Sequence, residues 1–256
     1  MLGDAWQGKV TDILDWVAEA GYEGIEITNT MIREFADRPE DFAAELKARG
    51  LELAAFAYAR PSGFTDPDVE AEDMEGAKQA VEFIYHFPQA QLALAGAASP
   101  SREDAHAKLD RAINFYNQVG YYANAQLVRV NVHPHSHYGS LLETADEYQR
   151  LVDGLARCCV NFGPDTGHIV RGGQDLLTCL RTHIGRITHL HLKDANAGRE
   201  WVPLGEGLCD FPGVFRILEE ADYSGWVVAE EESPFARQDG RAAIRRNREY
   251  LKSIGY

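Results

Sequence analysis

Residues 186–194 read Arg186-Ile187-Thr188-His189-Leu190-His191-Leu192-Lys193-Asp194. Side chains two apart share a face of a strand, so His189, His191 and Lys193 point one way and Thr188, Leu190 and Leu192 the other. The run predicts a strand over 186–192 whose C-terminal end carries groups able to do chemistry. Similar short runs recur along the chain, at Gly24–Thr28, Leu51–Tyr58, Gln91–Ala95, Leu127–His133, Cys158–Pro164 and Gly225–Glu230. Between them lie stretches of helical period, near Val10–Ala20, Pro39–Arg49, Val69–His86, Ser101–Ala123, Thr144–Ala156, Gln174–Thr182, Phe211–Ala221 and Arg241–Ser253. Ser101, Thr144 and Asp210 read as N-caps, and Gly21 and Gly50 stand where a left-handed helix ending is wanted.

This alternation argues for βα units around a parallel sheet. The count of elements is one strand short of a (β/α)8 TIM barrel, and that strand would precede the helix at Val10. We therefore expect a barrel over 1–256, one domain, with its first strand truncated or missing. Either the natural start lies upstream or the barrel closes imperfectly beside its last strand. A chain of 256 residues with 45% hydrophobic and 25% charged residues can bury a large core and is neither disordered nor fibrous.

Forty acidic against 25 basic residues give a net charge of −15, which repels a phosphate backbone and argues against nucleic acid as partner. No run has the length of a membrane span, and Met1-Leu2-Gly3-Asp4 lacks the features of a signal peptide. The expectation is a cytoplasmic protein without membrane contact. Cys158, Cys159, Cys179 and Cys209 follow no CxxC spacing and predict reduced thiols.

Histidines gather in Val132-His133-Pro134-His135-Ser136-His137, Asp165-Thr166-Gly167-His168 and His189–Asp194, each at a strand's C-terminal end, the face on which barrel enzymes carry their sites. The last strand ends in Glu230-Glu231-Glu232. His133, Asp165, His191 and Glu230, from four successive strand ends, would converge on one point. Two imidazoles and two carboxylates suit one divalent metal, Mn²⁺ first, with Co²⁺, Zn²⁺ or Mg²⁺ as alternatives. Taken singly, a strand-end His is more often structural, and an Asp before Thr-Gly often caps a turn. Alternation puts Glu230 and Glu232 on one face, while Pro134 redirects His135. Glu26, ending the Gly-Ile-Glu run, would orient polar groups inside the barrel.

At these residues the sequence resembles the xylose-isomerase-like TIM-barrel superfamily of sugar isomerases, ketose 3-epimerases, inosose dehydratases and endonuclease IV. The resemblance rests on Gly21–Glu26, Asp165–His168, His189–Asp194, Leu204-Gly205-Glu206-Gly207 and Gly225–Glu230, and runs over most of the chain. It implies a metal at Asp165, His191 and Glu230, with His168 near metal and substrate, and makes a homo-oligomer plausible. Ketose epimerases of the superfamily usually carry a Glu where this chain has His133, and the His-Pro-His segment looks more like the inosose dehydratase branch. Endonuclease IV needs more metal ligands than are present.

The resemblance and the residues together imply a lyase acting on a small keto-sugar or keto-cyclitol by α-proton abstraction. His168, His135 and Glu230 are the base candidates. Glu232 or His137 would protonate the departing hydroxyl, and Lys193 would stabilise the enolate oxygen or simply pair with Asp194 or Glu206. Arg171, Arg237, Glu206 and Trp6 are further candidates for substrate contacts. The alternatives are an isomerase or 3-epimerase in which Glu206 or Glu232 replaces the missing carboxylate, and a non-catalytic sugar-binding barrel.

Overall fold

The computed structural model describes residues 8–136 and 139–256. The elements run α1 (Val10–Ala20), β1 (Gly24–Thr28), α2 (Pro39–Ala48), β2 (Glu52–Tyr58), α3 (Glu70–Ile84), β3 (Gln91–Ala95), α4 (Ala105–Asn124), β4 (Arg129–His133) and α5 (Ala145–Gly154). They continue as β5 (Val160–Phe162), α6 (Thr166–Arg171), α7 (Leu176–His183), β6 (His189–Leu192), β7 (Asp194–Ala195), β8 (Trp201–Val202), α8 (Phe211–Glu220), β9 (Trp226–Ala229), α9 (Pro234–Gln238) and α10 (Gly240–Ser253).

Strands β1 to β5 pair in parallel in chain order. The bridges Phe162–Ile187 and Asp165–His191 carry the wall on to β6, which pairs in parallel with β9. This is the TIM barrel, its strand ends all on one face. Among the described residues no strand precedes α1, and no ladder joins β9 to β1. The two strands meet there through side chains: a Cβ at Gly24 would stand 2.8 Å from the Trp226 ring, so only glycine admits that contact. No helix among the described residues is long and apolar enough to cross a membrane.

The helices start and stop for local reasons. Thr144 accepts from Glu147 N–H, and the Glu147 carboxylate reaches back to the Thr144 N–H at 2.9 Å, a reciprocal capping box. Asp210 caps α8, and Gly21 ends α1 in the left-handed region at φ 86°. Ser101 does not cap: its Oγ accepts from Glu103 N–H in a local turn, and α4 begins only at Ala105. The apolar faces of these helices pack on the strands in one core, from Val10 and Leu14 through Phe56, Leu92, Val130 and Phe162 to Leu190 and Phe211.

One buried carboxylate shapes the loop over the barrel mouth. Asp194 Oδ1 accepts the N–H groups of Ala195 at 2.9 Å and Cys209 at 3.1 Å; Oδ2 accepts those of Gly205 at 3.0 Å and Gly207 at 2.9 Å. Thus the Lys193-Asp194 and Leu204–Gly207 segments, far apart in sequence, are halves of one device. Asp194→Asn puts an amide where two N–H groups now find an acceptor. It should lower stability by about 3 kcal/mol, read from urea unfolding midpoints, because charged hydrogen bonds are lost and buried donors stranded.

Candidate active site

Each strand end delivers its side chain in a prepared state. At the end of β4, His133 donates from Nδ1 to the Gly163 carbonyl at 3.1 Å, which leaves Nε2 as a lone pair facing inward, 4.0 Å from Glu230 Oε2. Asp165 follows β5 and caps α6, its Oδ1 accepting the His168 N–H at 2.8 Å; Oδ2 is buried without a partner. On β6, His191 donates from Nε2 to Glu26 Oε2 at 2.8 Å, which turns its Nδ1 toward the centre. That Nδ1 is 3.1 Å from Glu230 Oε2, yet without hydrogen-bond geometry. Glu230, just past β9, is placed by its N–H to the Leu192 carbonyl at 2.8 Å.

Donor atoms of His133, Asp165, His191 and Glu230 lie within 4.8 Å of one another. The unpartnered Asp165 Oδ2 and the unaligned His191 Nδ1 are what a cation-binding cluster shows when its acceptors face a common centre. The group can hold a divalent ion. Two neighbouring clusters, His133–His135–His168 and Glu26–His189–His191, are also close. In the first, Ser136 N–H donates to His168 Nδ1 at 2.7 Å, occupying that lone pair. In the second, a single oxygen, Glu26 Oε2, serves His189 Nε2 at 2.7 Å as well as His191 Nε2, so Glu26 works as an orienting acceptor.

Burial pushes the Asp165 carboxyl up to about 7. Against the cost of burial, Lys193 and His191 hold Glu230 well below the usual carboxylate range, and the two imidazoles do the same for Glu26. Burial opposes charge on His191 as well, but Glu26 and Glu230 raise its ring to about 10. Burial keeps His133, His168 and His189 neutral.

Beside the cluster, Lys193 is fully buried and donates from Nζ to Glu230 Oε1 at 2.8 Å and Glu232 Oε2 at 3.0 Å. The Asp-Thr-Gly-His segment makes this arrangement. Thr166 Oγ1 donates to the Lys193 carbonyl at 2.6 Å and accepts its N–H at 3.0 Å. Gly167 lets α6 come against the Lys193 backbone, where a Cβ would meet Lys193 atoms at 2.9–3.0 Å. His168 Nε2 then lies 3.3 Å from Lys193 Nζ. His135 stands with its ring 4.5 Å from that of His133 and 5.0 Å from that of His168. A cavity of about 260 Å³ opens on His133, His135, His191 and Glu230.

Other sequence candidates lie elsewhere. Glu206 turns outward because Asp194 binds the N–H groups of both flanking glycines, and it pairs with Arg246, half-exposed. Arg237 is exposed on α9, whose buried side is Ala236. Trp6 and His137 lie outside the described residues. Trp201 went unnoticed in the sequence: its two-residue strand has no periodicity, yet its ring is 4.8 Å from the His168 ring and 4.6 Å from Lys193 Nζ.

Fold and site together define a βα barrel whose strand ends form a metal-capable centre. The chain belongs to the xylose isomerase-like TIM barrel family, whose model matches residues 14–254. It is 28% identical over 278 residues to an inosose dehydratase of Geobacillus thermodenitrificans (strain NG80-2), covering 96% of this chain and 90% of that one. Its fold is similar to the IOLI protein with a binding zinc atom, at a TM-score of 0.82 and 16% identity over 96% of this chain and 93% of that one. It is also similar to the D-psicose 3-epimerase of Clostridium cellulolyticum H10 solved with D-tagatose, at 0.80 and 17% over 97% and 93%.

The role of Glu26 is open to a direct check. Glu26→Gln replaces the charged acceptor that both ring N–H groups share with a neutral amide and loosens the His191 ring, so Mn²⁺ affinity by calorimetric titration should fall about 10- to 100-fold with the fold intact.

Proposed function

We propose that the protein is a divalent-metal-dependent carbon–oxygen lyase acting on a keto-sugar or keto-cyclitol, of the inosose dehydratase type. The observation that supports it most is the convergence of His133 Nε2, Asp165 Oδ2, His191 Nδ1 and Glu230 beside a buried ammonium. The similarity to inosose dehydratases over nearly the whole chain points the same way. Bound at these four residues, a divalent ion, Mn²⁺ in our reading, supplies Lewis-acid polarisation of the substrate carbonyl.

The chain's own residues do the rest. His135, which lines the cavity beside the cluster, takes the α-proton. His168 donates: with Nδ1 engaged by Ser136 N–H, the proton of its neutral ring sits on Nε2, toward a substrate oxygen. Lys193 faces the negative charge that develops on the carbonyl oxygen, where a fixed, desolvated ammonium is worth most. The pair Lys193–Glu232, at 3.0 Å, delivers the proton with which the departing β-hydroxyl leaves as water.

The epimerase alternative fits less well. Returning a proton to the opposite face calls for a second carboxylate at the centre; Glu206 points away with Arg246, and Glu232 is tied to Lys193.

On its keto-sugar or keto-cyclitol substrate, turnover should produce the absorbance of a conjugated enone or diketone. Lys193→Met should lower kcat about 100-fold or more while leaving bound metal unchanged. Uptake of solvent deuterium by the substrate without loss of water would instead indicate an epimerase or isomerase, and a ligand-induced thermal shift without turnover a binding barrel.

A further inference from the structure

Among the described residues, the half-buried arginines Arg33, Arg49, Arg60, Arg186 and Arg248 all donate hydrogen bonds to carbonyls or carboxylates. Arg171 alone in that class makes no hydrogen bond and no ion pair; its one partner is the Trp201 ring, with the guanidinium carbon 4.6 Å from the ring centroid. A half-buried guanidinium that has given up water without gaining an acceptor is costly to keep.

Its position is nevertheless built. Arg171 ends α6, the helix that starts at Asp165. The following turn is fixed by Gly172, where a Cβ would meet the Glu143 carbonyl at 2.5 Å, by Gly173 at φ 85°, and by the Gln174 side-chain N–H to the same carbonyl at 2.7 Å. Trp201 is held across β7–β8 by its pairing with Ala195. The same indole ring touches Lys193 Nζ and the His168 ring, so Arg171 stands one side chain away from the groups assigned to the reaction. Stacking on an aromatic face restrains the guanidinium while leaving the N–H groups on its edges available, the geometry that suits an oxyanion.

We propose that Arg171, restrained by Trp201, is the recognition arm for an oxyanion on the substrate, a carboxylate or a phosphate, so that the substrate is an anionic sugar or cyclitol. The inference rests on the sugar-lyase reading for the identity of the rest of the ligand.

The test is calorimetric binding of D-fructose, D-glucuronate and D-fructose 6-phosphate to Mn²⁺-loaded wild type, Arg171→Met and Arg171→Lys, with circular dichroism and metal content confirming intact protein. One anionic probe should bind at least about tenfold more tightly than D-fructose in wild type, the gain of one charged hydrogen-bonded contact. Which probe it is separates carboxylate from phosphate. Arg171→Met should abolish that preference while leaving D-fructose affinity unchanged, and Arg171→Lys should keep part of it. Equal affinity for all three probes, no binding of either anion, or a uniform loss in Arg171→Met would overturn the proposal. Anion preference without dehydration of any keto-sugar would sink the lyase reading and leave this one standing.

Discussion

Everything in the barrel mouth depends on one electrostatic constraint: two carboxylates and two imidazoles share a space less than 5 Å across, in a place that water hardly reaches. Such a group is stable only if its charges are matched and its lone pairs directed. The matching comes from Lys193, with Nζ on Glu230, and from the His191 ring, which Glu26 and Glu230 hold toward its charged form. The directing comes from the Gly163 carbonyl on His133 and from Glu26 on His191, each of which binds the far nitrogen of the ring and so turns the near one inward.

The short motifs make sense as parts of that solution. Asp165 serves two ends, capping α6 with one oxygen and facing the centre with the other. Thr166 and Gly167 dock α6 against Lys193, which fixes the ammonium, and Asp194 next door gathers four backbone N–H groups that shape the loop above. A change in any of these shifts a charge in the site even where no substrate is touched, because buried polar networks have little room to adjust.

Much of this could be read from residues alone. Period-two alternation placed His189, His191 and Lys193 on one face, where all three are buried within the barrel, and the recurring apolar runs located the strands to within a few residues. Thr144 and Asp210 announced their helices because capping is a local interaction. What escaped depends on contacts between distant segments. The outward turn of Glu206 is set by Asp194, the tautomer of His168 by Ser136, and the place of Trp201 by a two-residue strand pair. The helices α6 and α9 are too short to show a period, and Ser101 does not cap because a local turn competes for its hydroxyl.

The central claim is that these four side chains hold one ion. It is tested most directly by elemental mass spectrometry of the purified protein beside a His191→Ala, Glu230→Ala double variant. The account predicts about one transition-metal ion per chain in the natural sequence and none in the variant, since removing two of four ligands should abolish tight binding. No ion in the natural protein, together with no thermal stabilisation on adding Mn²⁺ or Co²⁺, would contradict it.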